Sequence, residues 1–132
     1  MSPAKPSSTP KRRPPTPKNY EQINLASSDQ AGAELPAANL RHATLQETNF
    51  AGANLAGADL TAANLGAADL HDATLADATL DGADLRNADL RDADVRGATF
   101  TDAKVEGAQW GGAQGVPPEL RPPSAPDATA AP

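Results

Sequence analysis

Residues 53–72 read ANLAG ADLTA ANLGA ADLHD, and each group of five repeats the plan of the one before it. Stepping outward by fives extends the pattern in both directions. A large apolar residue stands at every fifth position from Leu35 to Trp110, sixteen in succession. The residue two places before each of them is Ala, from Ala33 to Ala108, with Thr48 the one exception. Asp, Asn or Thr commonly stands between the two, as in Ala58-Asp59-Leu60 and Ala88-Asp89-Leu90.

A recurrence of five fits none of the common elements. A helix brings side chains back to one face near every 3.6 residues, a strand every second residue and a coiled coil every seven per two turns. Five-residue steps would scatter the leucines around a helix and put them on alternate faces of a strand. The chain must therefore turn once per pentapeptide, returning Ala and Leu to the inside each time. Four turns close a square of about twenty residues, and such coils stack at roughly 4.8 Å. Sixteen pentapeptides over 33–112 predict about four coils, a rod roughly 20 Å tall. Burying each central residue contributes about 1.5–3 kcal/mol, largely offset by chain entropy. The short polar residue before each Leu suits turn hydrogen bonding, and Gly52, Gly57, Gly82 and Gly97 suit corners with unusual dihedrals.

Composition agrees with a narrow interior. Aromatic residues make up 3% of the chain, too few to fill a broad globular core, whereas Leu and Ala can pack a thin one. The chain contains no cysteine, which excludes disulfides, thiolate metal sites and cysteine nucleophiles. No apolar run reaches membrane-spanning length, and Arg12 and Arg13 precede prolines instead of an apolar export segment. These features predict a soluble, cytoplasmic protein with no membrane partner.

The net charge of −6 is unevenly distributed. Residues 1–22 hold five Lys or Arg against one Glu, whereas residues 33–112 hold thirteen Asp or Glu against five Lys or Arg. A basic, Pro-rich tail (1–22) thus precedes an acidic body. Ile23 and Leu25 share the spacing of Ala33 and Leu35, so 23–32 reads as a degenerate half-coil covering the first turn. Beyond the repeats, Trp110 is placed to plug the far end. Residues 113–132 read as a C-terminal cap followed by a Pro/Ala-rich tail. Both tails lack core-forming residues and are expected to be disordered.

The Ala-(Asp/Asn)-Leu-x-x repeat resembles the pentapeptide-repeat family over 80 of the 132 residues. The resemblance implies a right-handed parallel quadrilateral β-helix, an all-β solenoid. Members of that family serve diverse roles, so the resemblance speaks more to fold than to function. Some resemble duplex DNA in shape and charge and modulate type II topoisomerases, which makes a DNA mimic the second functional expectation here. The shortness of the rod and the lack of an apolar C-terminal helix for dimerisation count against it.

Residues twenty apart should stack, which allows the surface to be mapped. Asp69 stacks on Asp89 and Asp72 on Asp92, with His71 and Arg91 between them. These four aspartates form the densest acidic cluster and are the candidate contacts for a basic protein partner. Part of this acidity also follows from the fold's own demand for Asp. In the tail, Lys11, Arg12 and Arg13 are candidate contacts for phosphate, lipid headgroups or acidic protein.

Catalysis is not expected. Serine is absent from 33–112, there is no glycine-rich phosphate loop, and a convex rod offers no cleft in which to tune a carboxylate. His42 and His71 belong to different faces and read as surface residues, so neither a metal nor a cofactor is expected. The sequence therefore predicts a non-catalytic interaction or structural scaffold with an unidentified protein partner. The repeat body is expected not to bind nucleic acid directly and to be a monomer or weak dimer.

Overall fold

The computed structural model describes residues 18–120. From Asn19 to Gln114 the backbone repeats one five-residue unit, and each unit pairs in parallel with the unit twenty residues later. The unit is conveniently described by roles. An inner Ala is followed by a rung residue, the central apolar residue and two corner residues.

Accounting for backbone donors explains why five residues suffice. In the unit Ala58-Asp59-Leu60-Thr61-Ala62, the inner Ala58 N donates to Leu55 O across the corner, at 3.0 Å. The rung Asp59 N donates to Ala38 O of the coil before, at 2.9 Å, and the central Leu60 N to Thr79 O of the coil after, at 2.7 Å. The first-corner Thr61 N donates to Asp59 Oδ1 at 3.1 Å. The second-corner Ala62 N donates to Asp81 O at 2.9 Å. No N–H of the unit is left over. The fourth bond explains the Asp and Asn at rungs, because their short side chains reach the amide two residues on.

The corner also dictates a dihedral. Every second-corner residue has positive φ, from Gln22 (66°) to Gly112 (75°). This is the third residue of a four-residue turn, where a type II turn needs the left-handed region. Glycine is unstrained there, yet Ala62, Ala67, Asp72 and Asn87 also adopt it. Their amides are tied to the next coil, and the ladder holds the conformation at a cost of about 1–2 kcal/mol per residue.

The four walls are named here by a central residue of each. The Leu60 wall stacks Tyr20, Leu40, Leu60, Leu80 and Phe100, and the Leu65 wall Leu25, Leu45, Leu65, Leu85 and Val105. The Leu70 wall stacks Gln30, Phe50, Leu70, Leu90 and Trp110, and the Leu75 wall Leu35, Leu55, Leu75 and Val95. Central residues from Leu40 to Val95 are fully buried, with the inner alanines between them. Thr48, the exception in the alanine column, is also fully buried, and its hydroxyl donates to Leu25 O at 2.7 Å.

The extent of the solenoid differs from the sequence expectation. Its ladder begins at Asn19, not at residue 33, and runs 96 residues at twenty per coil, nearly five coils. Residues 23–32 are regular coil, with positive φ at Ser27 and Gly32. Residues 18–22, assigned to the tail from composition, belong to that coil too. The physical reason is that the ladder bonds backbone to backbone and tolerates a poor central residue at an end. Gln30, in a leucine place, turns its amide to Ser28 Oγ at 3.3 Å. The remaining tail residues, 1–17 and 121–132, lie outside the described residues.

The two ends are unlike. At the C-terminal end Phe100 and Trp110 meet edge to face, 5.8 Å apart at 84°. Val116 is buried against the core there, Leu120 packs beside it, and the short 3-10 turn Pro118–Leu120 closes the end. At the N-terminal end Tyr20, Ile23 and Leu25 are only half-buried. Among the described residues, no helix is long and apolar enough to cross a membrane.

Gly97 tests the corner. It has φ of 78°, and a Cβ there would run into the Asp77 carboxylate of the coil before. Gly97→Ala is expected to destabilise the fold by about 1–3 kcal/mol in urea unfolding. Adding Asp77→Ala should restore part of the loss, since Ala62 and Ala67 show that alanine is accommodated at such a corner.

Candidate functional site

The carboxylates of the body fall into two groups by their place in the unit. Rung aspartates lie half-buried against the wall, and each accepts the backbone N–H two residues on: Asp69 from His71, Asp89 from Arg91 and Asp94 from Arg96. Second-corner aspartates, Asp72, Asp77, Asp92 and Asp102, project into solvent.

Rung carboxylates also receive the side chain of the residue that follows the central one. In Asp84-Leu85-Arg86, Asp89-Leu90-Arg91 and Asp94-Val95-Arg96 the guanidinium folds back as a fork. Its Nε donates at 2.9 Å to one oxygen and its terminal nitrogen at 2.7–2.8 Å to the other. Three successive walls of one coil thus carry the same bidentate pair. The hydrogen bond from each arginine holds Asp84 and Asp89 below the usual carboxylate range and Asp94 down to about 2. At Asp59, burial pushes the carboxyl up, but hydrogen bonds from Thr61 and Arg41 outweigh it and leave it lowered.

The Leu70 wall carries the four candidate residues. Asp69 and Asp89 are bridge partners, stacked one coil apart as the spacing requires. His71 Nδ1 lies 2.6 Å from Asp69 Oδ1, and its Nε2 lies 3.8 Å from Asp72 Oδ2. Hydrogen bonding to Asp69, then its charge, raises the His71 pKa. Asp72 and Asp92 occupy successive second corners with φ of 62° and 61°. The structure therefore brings all four together on one edge of the rod. It also separates them into two partnered rungs and two exposed corners.

Asp69, His71 and Asp89 each place a ligand-type atom within 4.8 Å of the other two. Both oxygens of Asp89 are already held by Arg91, so this trio is an ion-paired network that a cation would have to break. The neighbouring Leu65 wall is also less uniformly convex than the sequence suggests. At Gly66 the missing side chain opens a depression of about 270 Å³ lined by Gln46, Glu47, Asn64, Asp84 and Arg86. It is polar, and its central carboxylate, Asp84, is locked to Arg86 and ionised at neutral pH. His42 stands on a different corner from His71, at φ of 60°. Lys11, Arg12 and Arg13 lie outside the described residues.

Sequence reading missed the fork pairs. Their signal is present as Asp-Leu-Arg, Asp-Leu-Arg and Asp-Val-Arg, but only a corner folds residues two apart onto each other. It also put His71 and Arg91 merely between the aspartates, where they are in fact their partners.

A four-walled parallel β-helix with polar rungs and an Ala–Leu interior defines a class of solenoid whose regular walls suit contact with other macromolecules. The sequence profile of pentapeptide repeats matches residues 33–72 and 68–107, in eight copies. The chain belongs to the pentapeptide-repeat family, and its fold is the right-handed quadrilateral β-helix. A pentapeptide repeat protein from the thylakoid lumen of Arabidopsis thaliana is similar in structure, with 30% identity and a TM-score of 0.70. The match covers 71% of this chain and 66% of that one. A trypsin-treated form of QnrB1, a plasmid-mediated fluoroquinolone resistance protein, superposes with a TM-score of 0.64 at 22% identity. That match covers 69% of this chain and 47% of QnrB1, and it reflects the shared fold. The chain thus spans between about half and two thirds of the length of these neighbours. No curated protein gives a significant sequence match.

Two titrations follow from the site. His71 is expected to titrate above 6.5 by NMR, and Asp69→Asn should bring it back down. Because the folded pKa is raised, the contact helps the fold at pH below 6.5 and fades as pH rises through the raised value. For Asp94 the sign is opposite. Its folded pKa is about 2 against an ordinary 3.8, so its contribution is present above 3.8 and is lost as pH falls toward 2. Arg96→Gln should move the Asp94 carboxyl titration upward in a carbon-detected NMR series.

Proposed function

We propose that the protein is a non-catalytic scaffold whose acidic Leu70 edge receives a basic surface of a protein partner, in the cytoplasm. The observation that carries this reading is the division of carboxylates. The ladder fixes Asp72 and Asp92 one above the other at exposed corners, while the rung aspartates beneath them are bound to His71 and Arg91. A rigid pair of exposed carboxylates at coil spacing, of which Asp72 alone has a side-chain contact (His71 Nε2 at 3.8 Å), is presented without ordering cost at the moment of binding. Exposed charges of this kind set association rate and specificity more than raw affinity. The basic segment Lys11-Arg12-Arg13 supplies a second contact of opposite sign for an acidic or phosphate-bearing group.

The DNA-mimic reading has a narrower base. Exposed corner aspartates stack only as Asp72 on Asp92, with Asp77, Asp81 and Asp102 standing singly on other corners, and the three fork pairs of the 84–96 coil offset the charge a phosphate-like array would need. Purified protein that changes DNA supercoiling by a type II topoisomerase would favour this reading over the scaffold.

The scaffold is tested by Asp72→Lys combined with Asp92→Lys. Neither side chain is a rung, so the far-ultraviolet spectrum should not change. Capture of a partner from native lysate should fall by about tenfold or more, as expected for replacing attraction by repulsion at two contacts. Equal recovery with the doubly reversed protein removes the Leu70 edge as the site.

A further inference from the structure

We propose that the N-terminal end of the β-helix is a homodimer surface, which pairs with the same end of a second copy. Three observations converge on it. First, the end is apolar among the described residues. A cavity of about 170 Å³ is lined there by Tyr20, Ile23, Leu25, Gln30, Leu35 and Leu40, whereas at the other end Val116 is buried and a larger cavity of about 490 Å³ beside Leu120 includes the polar Thr99, Thr101, Asp102 and Glu119 in its lining.

Second, the backbone of this end is unpaired in a self-complementary way. In every later coil the rung residue bonds backward with both N–H and C=O. Asn39, for example, donates to Lys18 O and accepts from Tyr20 N. The first-coil rungs Asn19, Asn24, Asp29 and Glu34 point the same two groups outward, and none has a backbone partner among the described residues. A residue that presents both groups on one side suits the antiparallel pair in which two residues exchange both hydrogen bonds. An identical end, turned about a two-fold axis, offers just such residues. The C-terminal edge presents central-residue N–H groups, among them those of Phe100, Val105 and Trp110, and inner-residue carbonyls such as Ala98 O, and is partly covered by Val116 and the turn Pro118–Leu120.

Third, the composition of residues 1–17 does not suit a cover. Residues 1–17 contain six prolines and, apart from Met1, no large apolar side chain. Proline cannot join a ladder, and the segment has nothing to fill the cavity.

The square section permits a register that avoids like charges. With the axis through the corner between the Asn19 and Glu34 walls, Asn19 faces Glu34 of the second copy and Asn24 faces Asp29. Asn-on-Glu stacking already occurs within the chain, where Asn54 Nδ2 donates to Glu34 Oε1 at 3.0 Å. One coil end is well below the about 800 Å² per partner of a standard interface, so the dimer is weak and reversible.

Sedimentation equilibrium on the full chain, from about 10 μM to 1 mM, tests this directly. A reversible monomer–dimer equilibrium is expected. Asn19→Asp with Asn24→Asp keeps the turn-capping oxygen but sets acid against acid, and should weaken the dimer about tenfold at low salt. Asn19→Lys with Asn24→Lys should tighten it by a similar factor, and Lys104 shows that lysine is accepted at a rung. Fluorescence of Trp110, at the opposite end, reports that each variant is folded. A monomer at every concentration, or a dimer that both pairs of substitutions leave unchanged, overturns the proposal.

Discussion

Everything in this solenoid depends on the pair of hydrogen bonds that each rung residue makes to the coil before it. Those bonds set the spacing between coils, and the spacing sets everything stacked upon it. Within a unit they leave four further amides to satisfy. Two are met by the next coil and one by the corner carbonyl, and the first corner then draws on a rung side chain. Asp and Asn recur at rungs because they complete this accounting, and the acidic composition is in part a by-product of backbone chemistry.

That origin changes how the surface charge is to be read. A rung carboxylate is committed before any partner arrives. It accepts a backbone amide, and in the 84–96 coil it also holds an arginine through a bidentate fork. Its ionisation is stabilised by these contacts, as the lowered pKa values of Asp84, Asp89 and Asp94 show. Second-corner carboxylates carry no such duty. They project from a conformation with positive φ that the ladder enforces, and the scaffold holds them in place, with His71 Nε2 3.8 Å from Asp72. Recognition by charge is therefore more naturally assigned to Asp72 and Asp92 than to Asp69 and Asp89, although all four share one edge.

The ends follow from the same bonds. A ladder has a direction, and its two edges expose different groups: rung N–H and C=O at one, central N–H and inner-residue C=O at the other. At the C-terminal edge an aromatic pair and a proline-bounded turn close the interior. At the N-terminal edge the first described coil leaves its apolar residues half-buried.

The sequence by itself determined the unit, the interior and the stacking. A five-residue recurrence of Leu with Ala two places earlier admits only a chain that turns once per unit, and twenty-residue closure then puts Asp69 over Asp89 and Asp72 over Asp92. The start of the solenoid was not legible from side chains, because Gln30 and Ser28 interrupt the apolar column while the backbone ladder continues through them to Asn19. The carboxylate partners were decided only by the tertiary structure. Asp89 and Arg91 lie two apart in the chain, on opposite sides of a central residue, and in a straight strand they would point the same way without converging. The corner folds them together, and that corner exists only because neighbouring coils hold it at a dihedral that Asp, Asn and Ala would otherwise avoid.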